Sequence, residues 1–116
     1  MSVIALKRLS VLEETLALHL RCAGISSRFT REFRAIPERK WRWDFGDQAS
    51  KLLIECEGAI WVKGAHSSGV GITRDIEKAN AATLAGYRTL RFTKQMIEDG
   101  TALVLILEAL GIGKRA

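Results

Sequence analysis

The apolar positions of the chain change period from segment to segment. Leu12, Leu16, His19, Leu20 and Ala23 recur at helical spacing. Ser10 and Glu13 have the spacing of a capping box, and Gly24 is a natural stop, which predicts a first helix over 11–23. Residues 28–35 alternate, with Phe29 and Phe33 on one face of a first strand. Pro37 and its charged neighbours make a turn. Trp41, Trp43 and Phe45 are then expected on one face of a second strand, with Arg42 and Asp44 on the other. After a tight connection over 46–50, Leu52, Ile54 and Cys56 face one way in a third strand, and Leu53, Glu55 and Glu57 the other. Three consecutive apolar residues, Leu52-Leu53-Ile54, indicate a strand covered on both faces.

Residues 58–71 are rich in glycine and predict a long loop, a common place for function in a small domain. Thr73 can cap a second helix running to Ala85, with Ile76, Ala79, Asn80, Thr83 and Leu84 on its buried stripe. Asn80, polar on that stripe, is expected to tie the helix to a backbone group. Residues 87–92 form a fourth strand. Thr93 can cap a last helical region, which has a weak point at Asp99-Gly100 before the apolar stretch 101–110. The element order is αβββαβα. It predicts an α/β domain over residues 1–116: an antiparallel meander, a crossover helix to a further strand, and a mixed sheet with helices on its faces, one of them C-terminal.

Composition narrows the function classes. No apolar run approaches the ~18 residues of a membrane helix, and Lys7 and Arg8 follow a short apolar start, the reverse of a secretory signal. Cys22 and Cys56 form no CxxC pair, so a zinc module or disulfide framework is not expected and a reducing cytoplasm fits. No Walker or Rossmann glycine pattern occurs. The net charge is +5, and residues 21–42 carry all of that excess, with seven basic and two acidic residues. Such a segment attracts polyanions, nucleic acid first. Arg28, Arg31, Arg34, Arg39, Lys40 and Arg42 are its DNA-binding candidates, with Lys63 and Arg74 further along the chain.

The candidate chemistry is carried by carboxylates. Adjacent antiparallel strands can set Asp44 beside Glu55, with Glu57 two residues on. Acids at that spacing repel unless a cation neutralises them, and a hard divalent ion, Mg²⁺ or Mn²⁺, suits oxygen ligands. The alternative is a wet sheet face lined by Glu55 and Glu57.

Asp44 and Glu55-Cys56-Glu57, in the order read above, resemble the PD-(D/E)XK nuclease superfamily. The resemblance is closer to small phage- and prophage-encoded proteins related to very-short-patch-repair endonucleases. It is carried by residues 13–21, 41–45, 51–58, 75–80 and 86–93. It implies a restriction-endonuclease-like αβββαβ core, a Mg²⁺- or Mn²⁺-dependent endodeoxyribonuclease, and metal ligation by Asp44 and Glu55. The motif lysine falls at position 57, which is Glu57 here. Glu57 is then a third ligand or a base, and Lys78 or Lys63 a substitute cation, unless those lysines lie on solvated surface. In the archaeal-type Holliday junction resolvases of the superfamily an acid on the first helix also reaches the metal. Glu13 has the matching spacing to Leu20 and Gly24, with Glu14 behind it; the capping box is its other reading. His66 in the glycine-rich loop is a candidate proton donor or phosphate contact, or a solvated bystander. Trp41 and Trp43 read as core and Trp61 as more open. With no room for a separate sequence-reading module, branched DNA cut by a homodimer is the expected substrate, and mismatch or nicking repair the alternative. Such a protein works in the cytoplasm of a bacterial host. A non-catalytic DNA-binding module is the reading from another class.

Overall fold

The computed structural model describes residues 3–57 and 69–113, with side chains from residue 11 onward. Helix α1 (Val3–Cys22) leads through a 3-10 turn (Ser26–Arg28) into β1 (Thr30–Phe33), β2 (Trp43–Asp47) and β3 (Leu52–Cys56). Helix α2 (Gly69–Leu84), β4 (Arg88–Phe92), α3 (Lys94–Glu98) and α4 (Thr101–Leu110) follow. The sheet order is β1-β2-β3-β4. The first three strands are antiparallel, and β4 runs parallel to β3 after the α2 crossover. The expected α/β class, mixed sheet and C-terminal helix are all present. No helix among the described residues is long and apolar enough to cross a membrane.

The apolar run of β3 explains the layering. Leu52, Leu53 and Ile54 are each fully buried. Leu52 and Ile54 face α1, α3 and α4, where Leu16, Leu20, Phe45, Phe92, Ile97 and Ile106 pack with them. Leu53 faces α2 and packs with Trp43, Ala82 and Tyr87. Each large side chain buried this way stabilises the fold by about 1.5–3 kcal/mol.

Several boundaries differ from the sequence expectation. Helix α1 starts at Val3, so Ser10 lies inside it and cannot be an N-cap. The helix does end at Gly24: its φ of 76° lets the amides of Gly24 and Ile25 return to the carbonyls of Arg21 and Leu20. The first strand is only four residues long, because residues 26–28 form the 3-10 turn. Helix α2 already includes Gly69, so Thr73 is interior, its hydroxyl donating to the Gly69 carbonyl at 2.8 Å. Its sheet-facing side is Lys78, Ala81 and Ala82; Ile76, Ala79, Asn80, Thr83 and Leu84 are exposed. Asn80 is therefore no buried tie. At the other end, Thr93 caps α3, accepting from the Met96 amide at 3.3 Å. The helix breaks at Asp99, whose carboxylate accepts from the Thr101 amide at 2.9 Å.

The largest departure lies in β1 and β2. Phe29 and Phe45 meet edge-to-face at 6.4 Å in the α1 layer. Phe33 and Trp43 pack in the α2 layer, so Phe29 and Phe33 do not share a face, and neither do Trp43 and Phe45. Glu32 lies between, with φ at 52°. A left-handed residue turns the next peptide over and sends the following side chain to the opposite face, at a cost of about 1–2 kcal/mol for a non-glycine residue.

Candidate metal centre

The switch point is where the acids converge. Arg31 pairs with Phe45 and Phe33 with Trp43, a register that sets Glu32 opposite Asp44. Glu13 arrives from α1. It shares a stripe with Leu16, Ala17 and Leu20, so burial of those residues presses it onto the sheet. One carboxylate oxygen from each of Glu13, Glu32 and Asp44 lies within 4.8 Å of the others. Asp44 is further held by the Cys56 amide, which donates to Oδ2 at 2.7 Å.

The electrostatics follow from that crowding. The Glu13 carboxyl is pushed up to about 7, first by burial, then by the charge and hydrogen bond of Asp44 and the charge of Glu32. Burial also drives the Cys56 thiol far up, reinforced by Asp44 and Glu13, which favours its protonated form. Among the described residues, Arg31 is the cation that pairs with a member of the group. Arg31 Nη2 lies 2.8 Å from Glu14 and 3.5 Å from Glu13, and its guanidinium sits 4.8 Å from the Phe45 ring centre.

Glu55 and Glu57 are not in this group. Glu55 faces the α2 layer, where Lys78 Nζ donates to its Oε2 at 2.5 Å and to the Arg42 carbonyl at 2.7 Å, lying 4.7 Å over the Trp43 ring. Burial raises the Glu55 carboxyl, Lys78 opposes the rise, and Glu57 and Asp44 add to it. Lys78 is thus a partly buried partner of Glu55. A cleft of about 260 Å³ opens beside it, lined also by Asp75, Arg88 and Arg91. Glu57 pairs with Arg91 at 3.0 Å. Of the expected ligands Asp44, Glu55, Glu57 and Glu13, the structure therefore brings together Asp44 and Glu13, and it adds Glu32.

No family model matches this chain, and neither does any curated protein or solved structure. What the site can do rests on its own residues. Three carboxylate oxygens at this spacing suit a hard cation with oxygen ligands. Their mutual repulsion also makes the site costly without one.

The basic segment divides in two. Arg28 pairs with buried Asp47 at 3.5 Å, and Arg34 donates to the carbonyls of Pro37 and Arg39. Those two, like Arg31, are engaged within the fold. Arg39, Lys40 and Arg42 are exposed on the β1–β2 connection, with Arg39 stacked 3.8 Å over Trp41. Arg74 is exposed on α2. Lys63, His66 and Trp61 lie outside the described residues. Asp47, which also holds the Ala49 amide and the Ser50 hydroxyl, braces the β2–β3 turn. Sequence reading did not single it out.

Proposed function

We propose that this chain is a metal-dependent DNA endonuclease of PD-(D/E)XK type that cuts branched DNA as a homodimer. The observation that carries it is the convergence of Glu13, Glu32 and Asp44 from three elements, beside a segment that holds the whole positive excess of the chain. These three side chains would hold Mg²⁺ or Mn²⁺, which supplies charge neutralisation at a phosphodiester and a more acidic bound water. The residues do the rest. Asp44 is oriented by the Cys56 amide, Lys78 holds Glu55 in the α2 layer, and Arg39, Lys40 and Arg42 meet the DNA backbone.

A second reading, a DNA-binding module without catalysis, is favoured by one feature: both motif-position acids, Glu55 and Glu57, are paired with cations.

The test is a gel assay with Mg²⁺ or Mn²⁺ on a synthetic four-way junction, a mismatched duplex and a matched duplex, run beside Asp44→Asn, Glu32→Gln and Glu55→Ala. Paired nicks on the junction are expected. Asp44→Asn and Glu32→Gln should abolish them while DNA affinity is kept or improved. Cleavage of the mismatch alone moves the function to repair. Metal-independent binding without cutting favours the second reading.

A further inference from the structure

The β1–β2 connection, residues 34–42, is long for a hairpin, yet it is tied down along its length. The Arg34 guanidinium donates to the carbonyls of Pro37 and Arg39 at 3.1 and 2.6 Å, and the Arg39 amide donates to the Ile36 carbonyl at 3.0 Å. At the far end Lys78 holds the Arg42 carbonyl. Ala35, Ile36 and Trp41 pack against the core around Trp43, Leu53 and Tyr87. The side chains this frame offers to solvent are mostly cations: Arg39, Lys40 and Arg42 are exposed, and Glu38 is the one acid of the segment. Among the described residues, none of those three cations pairs with a carboxylate.

Arg39 differs from the other two. Its guanidinium carbon lies 3.8 Å from the centre of the Trp41 ring, the separation of two stacked planar groups. Trp41 is half-buried against the core, and Arg39, itself exposed, covers its open side. A guanidinium stacked in this way has a second flat face turned to solvent, and its N–H donors stay in the plane. Nucleobases stack on aromatic rings and on arginine planes. In a matched duplex both faces of each base are already taken by its neighbours, so the base that can stack here is an unpaired one. Lys40 and Arg42 flank the pair in sequence and carry the charge for the adjoining phosphates.

We propose that Arg39, backed by Trp41, is a stacking platform for an unpaired nucleobase, and that through it residues 34–42 recognise DNA whose base pairing is interrupted. The proposal rests on the DNA-binding part of the reading above and not on cleavage, so it applies to the endonuclease and to the non-catalytic module alike.

The experiment measures binding by fluorescence anisotropy in EDTA, where no strand is cut. The probes are a matched duplex, the same duplex carrying an unpaired adenine, and the same duplex carrying an abasic residue in place of that adenine. The abasic probe keeps the interruption and removes only the base. The wild-type chain is expected to bind the unpaired adenine about 5- to 150-fold more tightly than the abasic probe, the range for stacking one base. Arg39→Lys keeps the charge and loses the plane. It should erase most of that difference while binding the matched duplex within about twofold of wild type. Trp41→Phe keeps a smaller aromatic backing and should lose part of the difference. Lys40→Gln is the contrast: it removes a phosphate contact and should weaken all three probes alike. A thermal midpoint is taken for each protein, and if Trp41→Phe does not fold, the exposed substitution Arg39→Lys decides. The proposal falls if the wild-type chain binds the unpaired adenine and the abasic probe equally. It falls also if Arg39→Lys keeps the difference, or weakens all three probes alike as a backbone cation would. Those outcomes leave DNA binding standing. A wild-type chain that binds none of the three probes removes the DNA reading, and the platform with it.

Discussion

At Glu13 packing and charge pull in opposite directions. The stripe of α1 that buries Leu16, Ala17 and Leu20 also carries this carboxyl against Asp44 and Glu32, and its affinity for a proton rises from an ordinary 4.5 to about 7. The folded chain therefore holds a proton between those values that the unfolded chain has released. Stability falls as pH climbs through that window and stays low above it. Without metal, the thermal midpoint should drop between pH 5 and pH 8, the loss being about 2 kcal/mol after screening at a partly open site. Glu13→Gln should flatten the decline, and excess Mn²⁺ should restore stability at the upper end. A wild-type midpoint that rises across the window contradicts this account. Glu13 was singled out in the sequence by its spacing to Leu20 and Gly24, which the resemblance supplied, and helical periodicity alone left it as a capping residue. Glu32 was not, since a strand glutamate between two arginine-bearing positions reads as surface. Only the cross-strand register and a left-handed backbone bring it to Asp44.

The elements show where local pattern holds and where it fails. Leu52-Leu53-Ile54 announced a strand covered on both faces, and Thr93 and Asp99-Gly100 marked the start of α3 and the break before α4. Alternation failed in β1, where one residue of reversed φ moves Phe33 from the α1 layer to the α2 layer, and in β2, where Trp43 and Phe45 lie in different layers. The moved ring needs Gly46. A methyl group at that position would collide with Cβ, Cγ and Cδ2 of Phe33, three atoms at the rigid base of the side chain. Gly46→Ala should cost about 1–3 kcal/mol in denaturant unfolding, the range for overpacking a filled site. The same substitution in a Phe33→Ala background should cost clearly less, because the obstructing ring is gone. Equal costs in both backgrounds would place the strain in the backbone of β2 and not in the contact with Phe33.

On the scale of the whole molecule, charge is sorted by task. Sequence located the positive excess within 21–42, but could not say which cations the fold would use for itself. Arg28 is spent on Asp47, which is only 5% exposed, and Arg34 on the turn carbonyls. Arg39, Lys40 and Arg42 project from the β1–β2 connection. That connection is tied to α2 through the Arg42 carbonyl, which Lys78 holds together with Glu55. The two groups should separate in solution. Each phosphate contact contributes about 0.9 to the slope of log affinity against log salt on duplex DNA. Changing Arg39, Lys40 and Arg42 together to Gln should make that slope shallower by about 2–3, with little change in thermal midpoint. Arg28→Gln should do the reverse, lowering the midpoint by leaving a buried carboxylate without its cation while the slope stays put. Fluorescence-anisotropy titrations across a salt series, with a melt of each protein, check both. A slope that responds to Arg28 and not to the loop would move the DNA path off the β1–β2 connection and onto the turn that Asp47 braces.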